Sequence, residues 1–133
     1  MSTLKVNRIE PRTGDSVEIV GLDIPEPTES PVKAWVNFNG TGTVAIRDSM
    51  NVSSITDNGV GNYTVNFSTA MPDTNYSAVG SCSIGSPDTY PLVVMVNTNI
   101  SSNASPTTTQ FRVTTRISNT QRDATWVNCV VIR

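Results

Sequence analysis

"WVNFNGTGTV", residues 35–44, and "YTVNFST", residues 63–69, carry the same Val-Asn-Phe phrase inside two alternating runs. Alternation at period two sends successive side chains to opposite faces of a strand. Extended outward, "VKAWVNF" sets Val32, Ala34, Val36 and Phe38 against Lys33, Trp35 and Asn37, and "NYTVNFS" sets Tyr63, Val65 and Phe67 against Asn62, Thr64 and Asn66. Further on, "QFRVTTRIS" alternates Phe111, Val113, Thr115 and Ile117 against Arg112, Thr114 and Arg116. "ATWVNCVVI" alternates Trp126, Asn128, Val130 and Ile132 against Val127, Cys129 and Val131. No comparable stretch keeps a helical period, and Ala, Leu, Glu and Lys are sparse. The chain reads as all-β.

Turn signals punctuate these runs. "NGTG" at 39–42 turns the first strand into "TVAIRDS". Asn58-Gly59 within "DNGVGN" tolerates the positive φ of a hairpin and joins 51–56 to 62–68 as antiparallel neighbours. "AMPDTN" (70–75) and "SPDTYP" (86–91) are Pro/Asp turns, and "NISSNASPTT" (99–108) reads as an exposed loop. This spacing predicts an antiparallel β-sandwich, jelly-roll-like, over residues 32–133.

Residues 1–31 differ. Two strand-like runs, 4–9 and 16–22, surround an "RTGD" turn, and a Pro-rich linker, "PEPTESP", follows at 25–31. The expectation is a short N-terminal β-hairpin arm. A lone two-stranded hairpin is marginal in water, so the arm needs something to hold it. Leu4, Val6, Ile9, Val17 and Ile19 are the candidate contacts with a neighbouring subunit.

Charge sharpens this picture. The 133 residues carry a net charge of −2 with only 15% charged residues, which leaves no electrostatic footprint for nucleic acid. Acids gather in 10–29 (Glu10, Asp15, Glu18, Asp23, Glu26, Glu29), while the last third carries Arg112, Arg116, Arg122 and Arg133. Arg112, Arg116 and Arg122 are the candidate basic docking patch. The longest apolar run, "PLVVMV" at 91–96, falls far short of the roughly 20 residues of a spanning helix. The start lacks the apolar segment of an export signal, so synthesis and folding in a cytoplasm are expected. In that setting Cys82 and Cys129 read as buried thiols and not as a disulfide.

Catalytic signals are weak. With no histidine in the chain, His-based acid–base catalysis, Ser-His-Asp and Cys-His systems, and most zinc sites are removed. "GTGTVA", 40–45, matches the letters of a dinucleotide-binding turn, but that turn requires a following helix, and β-prone "TVAIRDS" follows instead. Asn39, Asn51, Asn62, Asn66, Asn75, Asn99 and Asn103 each begin an N-x-S/T pattern, which the abundance of these residues explains. Asp48, Asp57, Asp73 and Asp88 fit no calcium-loop spacing, and most sit in turn contexts. Trp35, Trp126, Tyr63, Tyr76 and Tyr90 are available for a sugar-binding platform, though core or subunit interface is the more ordinary use of such residues. No catalytic residue, cofactor or metal is expected.

The opening "MSTLKVNRIEPRTGDSVEIVG" resembles that of many tail-fibre and related virion proteins of tailed bacteriophages, notably those of cyanobacterial and marine hosts. Residues 33–81, "KAWVNFNGTGTVAIRDSMNVSSITDNGVGNYTVNFSTAMPDTNYSAVGS", look like a β module repeated in phage fibre and appendage proteins. The likeness spans about the first 81 residues. It implies a virion-surface protein that forms homotrimers. A small domain with one short arm suits a capsid decoration (cement) protein bound to the major capsid protein. The alternative expectation is a short tail-fibre or fibre-tip module that binds a host-surface glycan, attached to a tail protein. Neither role involves nucleic acid or membrane.

Overall fold

The computed structural model describes residues 29–85, 92–96 and 105–133; within 92–96 only the Val94 side chain is described. The N-terminal arm, with Leu4, Val6, Ile9, Val17 and Ile19, lies outside the described residues, as do the "SPDTYP" turn, most of the 99–108 loop, Tyr90 and Asp88.

Among the described residues the structure is all-β. Its strands are β1 (Val32–Asn39), β2 (Ala45–Met50), β3 (Val52–Asp57), β4 (Asn62–Phe67), β5 (Ser77–Ser83), β6 (Leu92–Val96), β7 (Gln110–Ile117), β8 (Thr120–Gln121) and β9 (Trp126–Ile132). They form two antiparallel sheets compatible with a β-sandwich. The first has the order β2-β1-β9-β5; the second has β3-β4-β7-β6, with the two-residue β8 added to β7. The β1–β2, β3–β4 and β6–β7 links each join strands paired within one sheet, as hairpins do. The chain changes sheet after β2, β4, β5 and β8, so β9 closes the first sheet between β1 and β5.

The alternation read in the sequence decides which side chains meet between the sheets. Ala34, Val36 and Phe38 from β1 and Val127, Cys129 and Val131 from β9 are buried against Tyr63, Val65 and Phe67 of β4 and Phe111 and Val113 of β7. Phe38 meets Tyr63 edge to face at 5.2 Å, a geometry that suits the ring quadrupoles. Phe67, Tyr76 and Phe111 form a second aromatic cluster. Burying side chains of this size stabilises by roughly 1.5–3 kcal/mol each, which is what holds two sheets of mostly Ser, Thr and Asn-rich strands together.

Asn51 makes the first change of sheet. It separates β2 from β3 and adopts φ 55°, a left-handed conformation that Asn tolerates better than most residues. Its side-chain amide donates to the carbonyls of Lys33 and Thr69, each at 3.2 Å, and its side-chain oxygen accepts from the Thr69 amide at 2.7 Å. One residue thereby bends the chain and stitches β1 to the segment that leaves β4.

Candidate functional site

The first sheet's outer face is built by register. Met50 of β2 pairs with Trp35 of β1, Trp35 with Val130 of β9, and Val130 with Val79 of β5. An apolar row therefore crosses all four strands. Met50 is 40% exposed and Val79 56%, and Ile132, beside the row on β9, is 41% exposed. Natural sandwiches reserve alternate outward positions for polar groups, so a full-width apolar row is a departure that makes this face the candidate site.

The next row is polar. Asp48, Asn37, Asn128 and Ser81 follow one another across the same strands. Asn37 donates to Asn128, and Asn128 donates to the Ser81 hydroxyl at 3.4 Å. Beyond it stands Trp126, 45% exposed. A bulge in the β1–β2 ladder between Asn37 and Phe38 leaves Arg47 without an opposite residue, and bulges re-aim side chains. Here the bulge lays the Arg47 guanidinium 3.9 Å above the Trp126 ring. Its end donates to the Thr125 carbonyl at 2.7 Å. Both tryptophans thus share one outer face, separated by the amide row.

The other aromatics behave differently. Tyr63 and Tyr76 are buried, so among the described residues the sugar-platform candidates reduce to Trp35 and Trp126. For Tyr63 the reason is chemical as well as steric. Its hydroxyl lies 2.8 Å from both the Asp123 carboxylate and the Gly40 carbonyl, while the Gly61 amide donates to the same carboxylate oxygen at 2.7 Å. Burial first, and the Asp123 carboxylate second, push the phenol well above its ordinary range, so it stays a hydrogen-bond donor. Asp123 escaped the sequence reading because its partners, Tyr63 of β4 and Gly61 in the turn before it, lie about 60 positions away.

The candidate basic patch divides. Arg112 and Arg116 sit on the outward side of β7 with Thr114 between them, as alternation requires. Arg112 donates to the Thr64 hydroxyl at 3.1 Å, and Arg116 to the Asn119 carbonyl. Arg122 follows β8, and its backbone is bonded to Thr115, which is buried on the core side of β7. The first two share a face of β7, and Arg122 lies past β8.

Among the described residues, several of the remaining candidates are absorbed by local structure. Asp57 accepts from the Gly59 amide, and Asp73 accepts from Asn75 and Arg133. Asn39 closes its own turn through the Thr41 and Thr43 carbonyls, and Asn66 reaches Ser54 and Thr56 across the second sheet's outer face. After "GTGTVA" the chain enters β2, with no helix. Cys82 and Cys129 are free thiols. Cys129 pairs with Gly80, two residues from Cys82 on β5, so the thiols are diagonal neighbours on the core side. Among the described residues no group of three His, Cys, Asp or Glu could hold a metal ion, and no helix is long and apolar enough to cross a membrane. Compared with protein-family models, with curated proteins and with solved structures, the chain gives no match.

Proposed function

We propose that this chain is a non-enzymatic structural protein of a tailed-phage virion, a homotrimeric capsid decoration protein seated on the major capsid protein at the particle surface. The apolar row Met50–Trp35–Val130–Val79 carries the reading. A sandwich has already filled its core from its inner faces, so an apolar row on an outer face is for another protein surface. Repetition of such contacts around a symmetric assembly lets modest individual affinities add through avidity. The resemblance of residues 1–81 to virion appendage proteins supplies the setting. Quantitative mass spectrometry of purified virions tests the role: hundreds of copies per particle support decoration, and a handful would sink it.

A second reading rests on the same face. Trp35 and Trp126 flank the Asn37–Asn128–Ser81 row, and indoles beside amides suit a sugar chain, in keeping with a short fibre tip that binds a host-surface glycan. Titrating the assembled protein with glycans from the host surface, followed by tryptophan emission, tests it. Saturable quenching favours the fibre tip, and an unchanged spectrum favours decoration.

A further inference from the structure

Resting on the multi-copy reading above, we infer that the outer face of the first sheet is the seat of residues 1–24 from a neighbouring copy of the same chain. The apolar row centred on Val130 is the acceptor.

Chain geometry points to this occupant. Residues 1–28 precede the described domain, and the chain joins it at the apolar end of this face. The Arg133 amide donates to the Pro31 carbonyl at 2.9 Å, and Val32 pairs with Ile132, two residues from Val130. Crossing four strands takes about 15 Å, and 28 residues in extended form span roughly 90 Å, so length is no obstacle. Reach favours a neighbour. Pro25, Pro27 and Pro31 give the 25–31 segment a composition that favours an extended spacer of about 3.1 Å per residue. A spacer of that composition has a reach of roughly 20 Å, longer than the width of the face, which brings the next copy within range of the apolar runs.

The chemistry of the two parts also fits. Leu4 and Val6, and likewise Val17 and Ile19, are spaced two apart, as required of strands that present one apolar edge to a flat apolar row. Residues 1–28 hold five acids and three bases, but on the face Arg47 stands beside Asp48 and Lys33 is held by Glu29 at 2.9 Å, so apolar spacing and not charge selects this occupant. Among the described residues Met50 and Val79 of the row stay 40% and 56% exposed, open to a second layer.

A photoreactive benzophenone amino acid in place of Val79 tests the contact in the full-length protein, because Val79 is 56% exposed and its side chain lies outside the core. In assemblies mixed from nitrogen-14 and nitrogen-15 chains, irradiation is expected to give peptides that join position 79 of one isotope to residues 1–24 of the other. Cross-links confined to one chain, or to any other segment or molecule, overturn the inference. Val79→Lys and the double variant Leu4→Asp/Val6→Asp are each expected to shift light-scattering mass from trimer to monomer while the far-ultraviolet circular dichroism keeps its folded signal. A Val79→Lys protein that remains a trimer also overturns it, while leaving the multi-copy reading intact. A wild-type monomer would instead remove the multi-copy reading itself, and this inference with it.

Discussion

The hydroxyl of Tyr63, at the start of β4, lies 2.8 Å from the carboxylate of Asp123 in the segment that leads into β9. This bond ties the second sheet to the link through which the chain returns to the first. Gly61 adds its amide to the same oxygen, and Gly40 offers its carbonyl to the phenol. Replacing Tyr63 by Phe removes the hydroxyl and leaves Asp123 with one donor fewer, so a loss of about 1–2 kcal/mol is expected. Asp123→Ala strands the Gly61 amide and removes a charged acceptor, while the phenol keeps the Gly40 carbonyl, and should cost about 2–3 kcal/mol. Urea denaturation followed by circular dichroism reads both, and equal effects would show that the carboxylate does not organise the cluster.

Asn51 serves as hinge and staple at once, and two variants separate these roles. Asn51→Ala loses three side-chain hydrogen bonds and places a Cβ-bearing residue without side-chain compensation at φ 55°. About 2–4 kcal/mol is expected. Asn51→Gly relieves the backbone cost of about 1 kcal/mol and keeps the rest of the loss. Gly more stable than Ala, and both below wild type, is the expected order of urea midpoints.

How much of this could be read from the letters depends on whether a signal is local. Strands β1, β4, β7 and β9 announce themselves by alternation, because a buried face must be apolar at every second position. The hairpins at 39–42 and 57–62 announce themselves by Gly and Asn. Strand β5, "SAVGSCS", escaped notice. Its inward positions are Ala78, Gly80 and Cys82, too small to stand out. The reason is spatial: a Cβ on Gly80 would lie 2.7 Å from a Val94 methyl group and 2.8 Å from the Asn128 carbonyl oxygen. The apolar row was equally hidden. Met50, Trp35, Val130 and Val79 are scattered over 96 positions, and only the ladder register aligns them.

That close approach makes Gly80 a sharp probe of how the edges of the two sheets meet. Gly80→Ala forces β5 away from Val94 or from β9, and overpacking of this kind costs about 1–3 kcal/mol. Gly80→Val should leave little folded protein. Thermal melting of the two variants checks the order, and a fully stable Gly80→Ala would mean that β5 and β6 do not pack as described.

Alkaline pH should weaken the fold through buried acids that must stay protonated. Burial pushes the Cys82 thiol to about 11, and burial together with the nearby Cys82 pushes Cys129 to about 12. Burial likewise takes the Tyr76 phenol to about 12, and Tyr63 is raised further still. Each folded-state value exceeds its unfolded one, about 9 for the thiols and 10 for the phenols. The stabilisation is therefore complete below those unfolded values and is lost as pH climbs through the folded ones. For a fully buried group the slope approaches about 1.4 kcal/mol per pH unit. Urea midpoints should be flat from pH 6 to 8.5 and fall above 9, and Cys129→Ala should flatten the first part of the fall.

The tryptophans give a reporter of assembly that needs no label. In many sandwiches tryptophan belongs to the core, and its emission reports folding. Here Trp35 and Trp126 both stand on the first sheet's outer face, Trp126 with nearly half its surface in water. Emission must then respond to whatever covers that face. Diluting the assembled protein should shift emission to the red and raise acrylamide quenching, while the far-ultraviolet circular dichroism stays constant because neither sheet opens. Arg47→Ala sorts the two indoles, since only Trp126 lies under the guanidinium. Loss of that contact should cost no more than about 1 kcal/mol at an exposed site and should change emission in the dissociated protein. In the assembly the change should shrink, because a covering chain shields Trp126 with or without Arg47. An emission spectrum that ignores concentration over the range in which the mass falls would place the subunit contact on some other surface.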